Sequence, residues 1–134
     1  MAAATVTTNL TISWTPPGAA LNSGNSIYQL QATYNGQNVG QVDITTAYVP
    51  AALVSIPFGN VTAAKVLFVK NMMSQEVSVR LNGAIADTFN LPPGGEFLYA
   101  IPAAPLAVPM TSATISAAAA PAVTESVQFF LLGD

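Results

Sequence analysis

The stretch Val66–Gly83, "VLFVKNMMSQEVSVRLNG", decides how the chain is read. Its first residues, Val66–Lys70, make an apolar run of strand length. Such a run suits a central strand covered on both faces. A short polar break follows, and then Val77, Val79 and Leu81 alternate with Ser78 and Arg80. Period-two alternation marks a strand with one buried face. The stretch ends on Asn82-Gly83, a dipeptide that accepts positive φ at both central positions of a hairpin turn. Two strands and a turn signal in so short a span predict a β protein.

The same grammar extends in both directions. Gly and Pro recur at about ten-residue spacing, the rhythm of an all-β sandwich or barrel. The turn signals are Pro16–Gly18, Asn35-Gly36, Pro50, Pro57, Gly59, Pro92–Gly95, Pro102, Pro105, Pro109 and Pro121. Between them, strands are expected near 6–15, 27–34, 39–46, 65–70, 76–81, 84–91, 96–101, 113–116 and 123–132, with 52–56 a candidate for a short further one. In the second of these Tyr28, Leu30, Ala32 and Tyr34 share one face, and Gln29, Gln31 and Thr33 the other. Asn35-Gly36 leads into Val42 and Ile44, which reads as a type I′ hairpin. The alanine run Ala117–Ala120 is too short to nucleate a helix before Pro121, so a loop is expected there. The expectation is one antiparallel β-sandwich domain over 1–134, jelly-roll-like, with about nine strands. Residues 1–8 and the Pro-rich segment Ala103–Met110 are expected to extend from it as arms, because paired prolines do not suit a central strand.

Composition narrows the function. Of 134 residues, 51% are hydrophobic and only 7% are charged, against about 25% charged in ordinary soluble domains. Every apolar run is broken by Pro, Thr, Asn, Ser or Gly before it reaches the roughly 18 residues a spanning helix needs. A surface of Thr, Ser, Asn, Gln and Ala, much of it covered by other subunits, fits the low charge, since interface cores are depleted in charge. The net charge is −3, with three basic residues. That excludes the clustered cations needed for phosphate neutralisation or a polybasic membrane anchor. The first ten residues, "MAAATVTTNL", carry no positive n-region and no long apolar h-region, so no secretory signal is expected.

Chemistry finds little to work with. Histidine and cysteine are both absent, which removes the commonest general bases, thiol nucleophiles and zinc ligands. The acids are Asp43, Glu76, Asp87, Glu96, Glu125 and Asp134, no two closer than nine residues apart. A glycosidase-like pair or a Ca²⁺ site would have to be assembled from distant loops. No enzyme activity, metal or cofactor is expected. "PPGGE" at Pro92–Glu96 lacks the strand-to-helix context of a phosphate loop and reads as a tight turn with Gly94 or Gly95 at positive φ. Trp14, Tyr28, Tyr34, Tyr48 and Tyr99 would make a sugar-stacking platform only if they met on one exposed patch, and aromatics on strands more often build core. Lys70 and Arg80 read as edge guards that discourage strand pairing, or as partners in salt bridges between subunits with acids such as Glu76 or Glu96.

Several features of the second half occur together. They are "SIPFG" at Ser55–Gly59, a strand ending in Lys70-Asn71, the alternating Val77–Leu81, the "LPPGGE" turn at Leu91–Glu96, and the closing "SVQFFLLGD". In this combination the chain resembles small all-β virion proteins of tailed bacteriophages, over Ser55–Asp134. The resemblance implies a structural part of the virus particle, most naturally a capsid decoration or cement protein. The alternative is a tail or head-fibre component, including one with a carbohydrate-binding module. It further implies location in the virion, the major capsid protein or another virion subunit as partner, and a homo-oligomer, with a trimer expected. Contacts with partners are expected from Ala2, Thr5, Val6 and Thr8, from Pro105, Leu106, Val108 and Pro109, and from Lys70 and Arg80.

Overall fold

Val77 and Val79 are almost fully buried while Ser78 and Arg80 are half-exposed, so the alternation that opened the reading is realised. The computed structural model describes residues 4–14, 24–34, 36–100 and 110–134, with side chains for 36–99 and 110–134. Ten strands form among them: β1 (Ala4–Trp14), β2 (Gly24–Tyr34), β3 (Gly36–Ile44), β4 (Val54–Ser55), β5 (Ala64–Asn71), β6 (Val77–Leu81), β7 (Phe89–Leu91), β8 (Glu96–Ala100), β9 (Ala113–Ala117) and β10 (Glu125–Gly133). The expected count of about nine is therefore one short. All pairings are antiparallel.

Eight strands build two sheets of four, in the orders β3-β10-β5-β8 and β4-β9-β6-β7. One face of each contributes to a single core. Leu67, Val69, Phe129 and Leu131 come from the first sheet, and Val77, Val79 and Ile115 from the second. The arrangement is sandwich-like. Phe89 on β7 stacks on Phe97 of β8 at 3.7 Å between ring centres, joining the two sheets at one side. Met110 is 1% exposed and bridges Ala64, so the end of the expected Pro-rich arm is core rather than extension. Residues 103–109 lie outside the described residues.

β1 and β2 pair only with each other, residue against residue from Ala4↔Tyr34 to Trp14↔Gly24. The hairpin expected across Asn35-Gly36 is therefore not made. β2 finds eleven partners in β1, and β3 finds nine in β10. In this register Val6 stands opposite Ala32, Leu10 opposite Tyr28 and Ile12 opposite Ser26.

The Asn82-Gly83 turn does form, with φ of 54° and 67° and Ala84 N–H donating to Leu81 O at 3.1 Å. The returning strand is shorter than the expected 84–91, because Ala84–Thr88 loops out. The Thr88 hydroxyl takes the Leu81 amide at 3.1 Å, and Asp87 turns back to Arg80. The alanine run leaves β9 at Ala117 and continues as a loop, held where the Gln75 amide exchanges two hydrogen bonds with the Ala119 backbone. Gly133 sits at the β10 bulge, where a Cβ would lie 2.0 Å from Ala63 O.

Candidate functional site

Lys70 and Arg80 are not edge guards. β5 lies between β10 and β8, and β6 between β9 and β7. Each cation instead meets an acid of its own chain. Lys70 Nζ is 2.8 Å from Glu96 Oε1, directly opposite it on β8. Arg80 Nε is 2.8 Å from Asp87 Oδ1, and this hydrogen bond, chief among the causes, holds the Asp87 carboxyl below the ordinary 3.8. The third cation, Lys65, is 2.7 Å from the Asp134 side chain. A half-exposed pair such as Lys70–Glu96 contributes about 1 kcal/mol or less. The basic residues are thus spent within the fold.

Next to Lys70, Asn71 is fully buried and ties the two motifs of the sequence together. Its Nδ2 donates to Gln75 O at 2.8 Å, Leu91 O at 2.9 Å and Pro92 O at 3.1 Å, and its Oδ1 accepts from Met73 N at 2.8 Å. Its backbone exchanges bonds with the turn, Asn71 N to Gly95 O and Gly94 N to Asn71 O, both 2.9 Å. Gly94 takes the positive φ expected there, 74°. "KN" and "LPPGGE" therefore form one structural joint. The neighbouring methionines divide by alternation, with Met73 buried and Met72 49% exposed.

Of the expected contact residues, Thr5, Val6 and Thr8 lie within β1, opposite Thr33, Ala32 and Leu30. They are ribbon residues rather than a separate tail. Ala2, Pro105, Leu106, Val108 and Pro109 lie outside the described residues.

Sequence reading missed a surface that the register assembles. On the outer face of the β3-β10-β5-β8 sheet, Val39 is opposite Phe130, Phe130 opposite Phe68, and Phe68 opposite Leu98. One apolar residue from each strand thus forms a row across the whole sheet. Val39 is 62% and Leu98 42% exposed, and the two phenylalanines are half-exposed. A shallow depression of about 440 Å³ lies beside them, lined also by Gly40, Gln41 and Gln128. The next row is polar, Gln41–Gln128–Lys70–Glu96. On the other side of the apolar row, Val66 and Leu132 are buried. A clue was present in the sequence, because Val39 is out of phase with Val42 and Ile44.

Among the described residues no three His, Cys, Asp or Glu side chains gather where a metal would sit. Tyr48 packs against the core, its hydroxyl accepting from Ala117 N at 3.0 Å and donating to Ala52 O. Tyr99 also packs against the core. Two of the five aromatics that a sugar platform would have needed are thus packed on the core, the role expected of aromatics on strands. Trp14, Tyr28 and Tyr34 belong to the ribbon, whose side chains are outside the described set. No described helix is long and apolar enough to cross a membrane. No family model matches the chain, and no curated protein or solved structure matches it significantly.

Proposed function

We propose that the chain is a non-catalytic structural subunit of a bacteriophage particle, a capsid decoration protein that clamps the shell through many repeated copies. The observation that carries this reading is the strand order. β3-β10-β5-β8 faces β4-β9-β6-β7, so the first strand of the eight neighbours the last. That order supports a jelly roll, the eight-stranded, two-sheet architecture used by viral capsid and lectin domains. The fold-level link is an analogy, and two surface features agree with it. The basic residues are engaged in pairs within the chain, which favours protein partners over phosphate. The outer sheet face presents an apolar row of the kind that interfaces bury.

In mechanism, each copy lies on the major capsid protein and contributes a modest contact. Repetition over the shell raises the effective concentration of every further contact. The protein is then a virion component, assembled in the host cytoplasm. The test is co-sedimentation of purified protein with empty shells of its virus, read with the shells' resistance to heat. Saturable binding that delays shell disruption is expected. Failure to bind shells, or binding to tails alone, overturns the decoration role.

A further inference from the structure

We propose that the outer face of the β3-β10-β5-β8 sheet binds a linear chain of uncharged hexopyranose sugars. The chain lies across the strands, over the apolar row Val39–Phe130–Phe68–Leu98 and the polar row Gln41–Gln128–Lys70–Glu96. The inference goes beyond the structural-subunit reading, in which the shell is then held by other surfaces.

The strip is narrow. The two rows stand two residues apart on every strand, which is about 7 Å, and each row crosses three strand spacings, about 14 Å. On the side away from the polar row, the chain itself covers Val66 and Leu132. A globular partner needs about 800 Å² of surface on each side, far more than the strip offers. A ligand one ring wide fits it. The depression over β3, β10 and β5, about 440 Å³, falls within the roughly 300–1,000 Å³ of small-ligand sites. The strip ends on β3 and β8, the outer strands of the sheet, so a chain of rings can run across it.

The two rows ask for a two-sided ligand. Phe68 and Phe130 present half-exposed carbon surface. Gln41 and Gln128 stand opposite each other in the next row and are exposed. Each amide both donates and accepts hydrogen bonds. Gln41 is held by the bond that its Nε2 donates to Asp43 Oδ1 at 2.8 Å, which lowers the entropy lost on binding. A purely apolar ligand covering the row and its border would leave these amides unpaired, at a cost in free energy. A pyranose carries C–H groups on its faces and hydroxyls around its rim, each hydroxyl a donor and an acceptor. It satisfies both rows at once, its face on Phe68 and Phe130 and its rim on Gln41 and Gln128.

Charge narrows the class. Lys70 is 2.8 Å from Glu96, so the cation and the anion of the polar row neutralise each other. Lys65 and Arg80 are likewise engaged, with Asp134 and Asp87. A sulfated or acidic sugar, or a nucleic acid, requires clustered cations that the strip does not supply. The ligand is therefore a neutral sugar chain.

The probes are hexasaccharides of glucose, N-acetylglucosamine, galactose and mannose, titrated into the full chain and read by calorimetry and amide NMR shifts. At least one should bind with a Kd of about 1 mM or tighter, with shifts concentrated at residues 39–41, 68–70 and 128–130. Gln41→Ala and Gln128→Ala should each weaken binding about fivefold, the loss of one ordinary hydrogen bond. Their Tm should stay within about 2 °C of wild type, as for exposed positions. Phe130→Leu keeps apolar volume but removes the flat ring, and should weaken binding about fivefold to tenfold. Dextran sulfate, the acidic probe, should not bind. Three results overturn the proposal. One is a panel of which no member binds at about 10 mM. Another is binding that both glutamine variants leave unchanged. The third is dextran sulfate binding as tightly as the best neutral probe. If the panel fails while the protein still binds shells, the sugar site falls and the decoration role stands. If a neutral sugar binds as expected but shells are ignored, the reverse holds.

Discussion

Replacing Asn71 by alanine tests whether the joint between the two sequence motifs holds the fold. The side chain is fully buried and contacts four backbone groups. Its amide has two protons for three carbonyls, so the donated bonds amount to two, and the bond from Met73 N adds a third. Each contributes about 1 kcal/mol net, and a partner stranded in the interior costs about 1–3 kcal/mol. The bonds to Leu91 O and from Met73 N are the buried ones. Asn71→Ala should therefore cost about 3–5 kcal/mol, a large part of the 5–15 kcal/mol typical of a domain. With an unfolding entropy of about 2.1 cal/mol/K per residue, the fall in Tm comes to about 10–18 °C. Calorimetry on N71A reads it, with the exposed Asn90→Ala as a control expected to stay within about 0.5 kcal/mol. Asn71→Asp adds a sign test. The ionised carboxylate would face three carbonyl oxygens, so folding raises its pKa above the unfolded value near 3.9. Relative to N71A, its stability should be greatest below that value and fall as pH rises. A Tm loss under about 3 °C for N71A, or an N71D that gains on N71A as pH rises, would refute the reasoning.

Three further outcomes follow from particular contacts. Gly133→Ala places a Cβ against Ala63 O; the chain end should peel away, and the amides of Thr62 and Ala63, which donate to Asp134 O, should lose protection in hydrogen exchange, whereas unchanged protection contradicts the fit. Asp87→Asn should narrow the acid response: Asp87 is held below 3.8 chiefly by the Arg80 hydrogen bond, so its contribution is present above that value and lost as pH falls through the lower folded pKa, and a wild-type advantage that widens below pH 4 would contradict the assignment. A double-mutant cycle of Phe89→Ala and Phe97→Ala should return a coupling of about 0.5–1.5 kcal/mol from their stacking, and additivity would mean the rings do not brace the sheets.

Much of the fold was legible because strand periodicity is local. Val77 and Val79 declare their face by alternation alone, and Gly94 declares a turn by lying in "PPGG". Pairing is not local, and the expectations failed where it decides. Asn35-Gly36 has the chemistry of a hairpin, yet β10 offers β3 a partner along its whole length. Lys70 looked like an edge residue because a strand's position in its sheet leaves no mark in its own sequence. Met110 follows two prolines and still enters the core, since the backbone of Ala64 donates to its carbonyl.

The candidate surface was hidden for the same reason. Phe68 and Phe130 each stand between two core residues, and Leu98 between Phe97 and Tyr99, which pack against the core, so in sequence each looks like surplus hydrophobicity. Only register puts the three in one line with Val39, because a shift of one residue in any strand would turn that strand's member to the other face. Cross-strand order thus converts four unremarkable residues into a surface some 14 Å across. A chain with few charges has few ways to specify a partner. On the β3-β10-β5-β8 sheet the means is an uncharged row bordered by the paired Lys70 and Glu96. Specificity then rests on shape and on the penalty for covering that polar border, which is why one lysine placed at the exposed Val39 is expected to oppose burial of the row by a partner without unfolding the sheet.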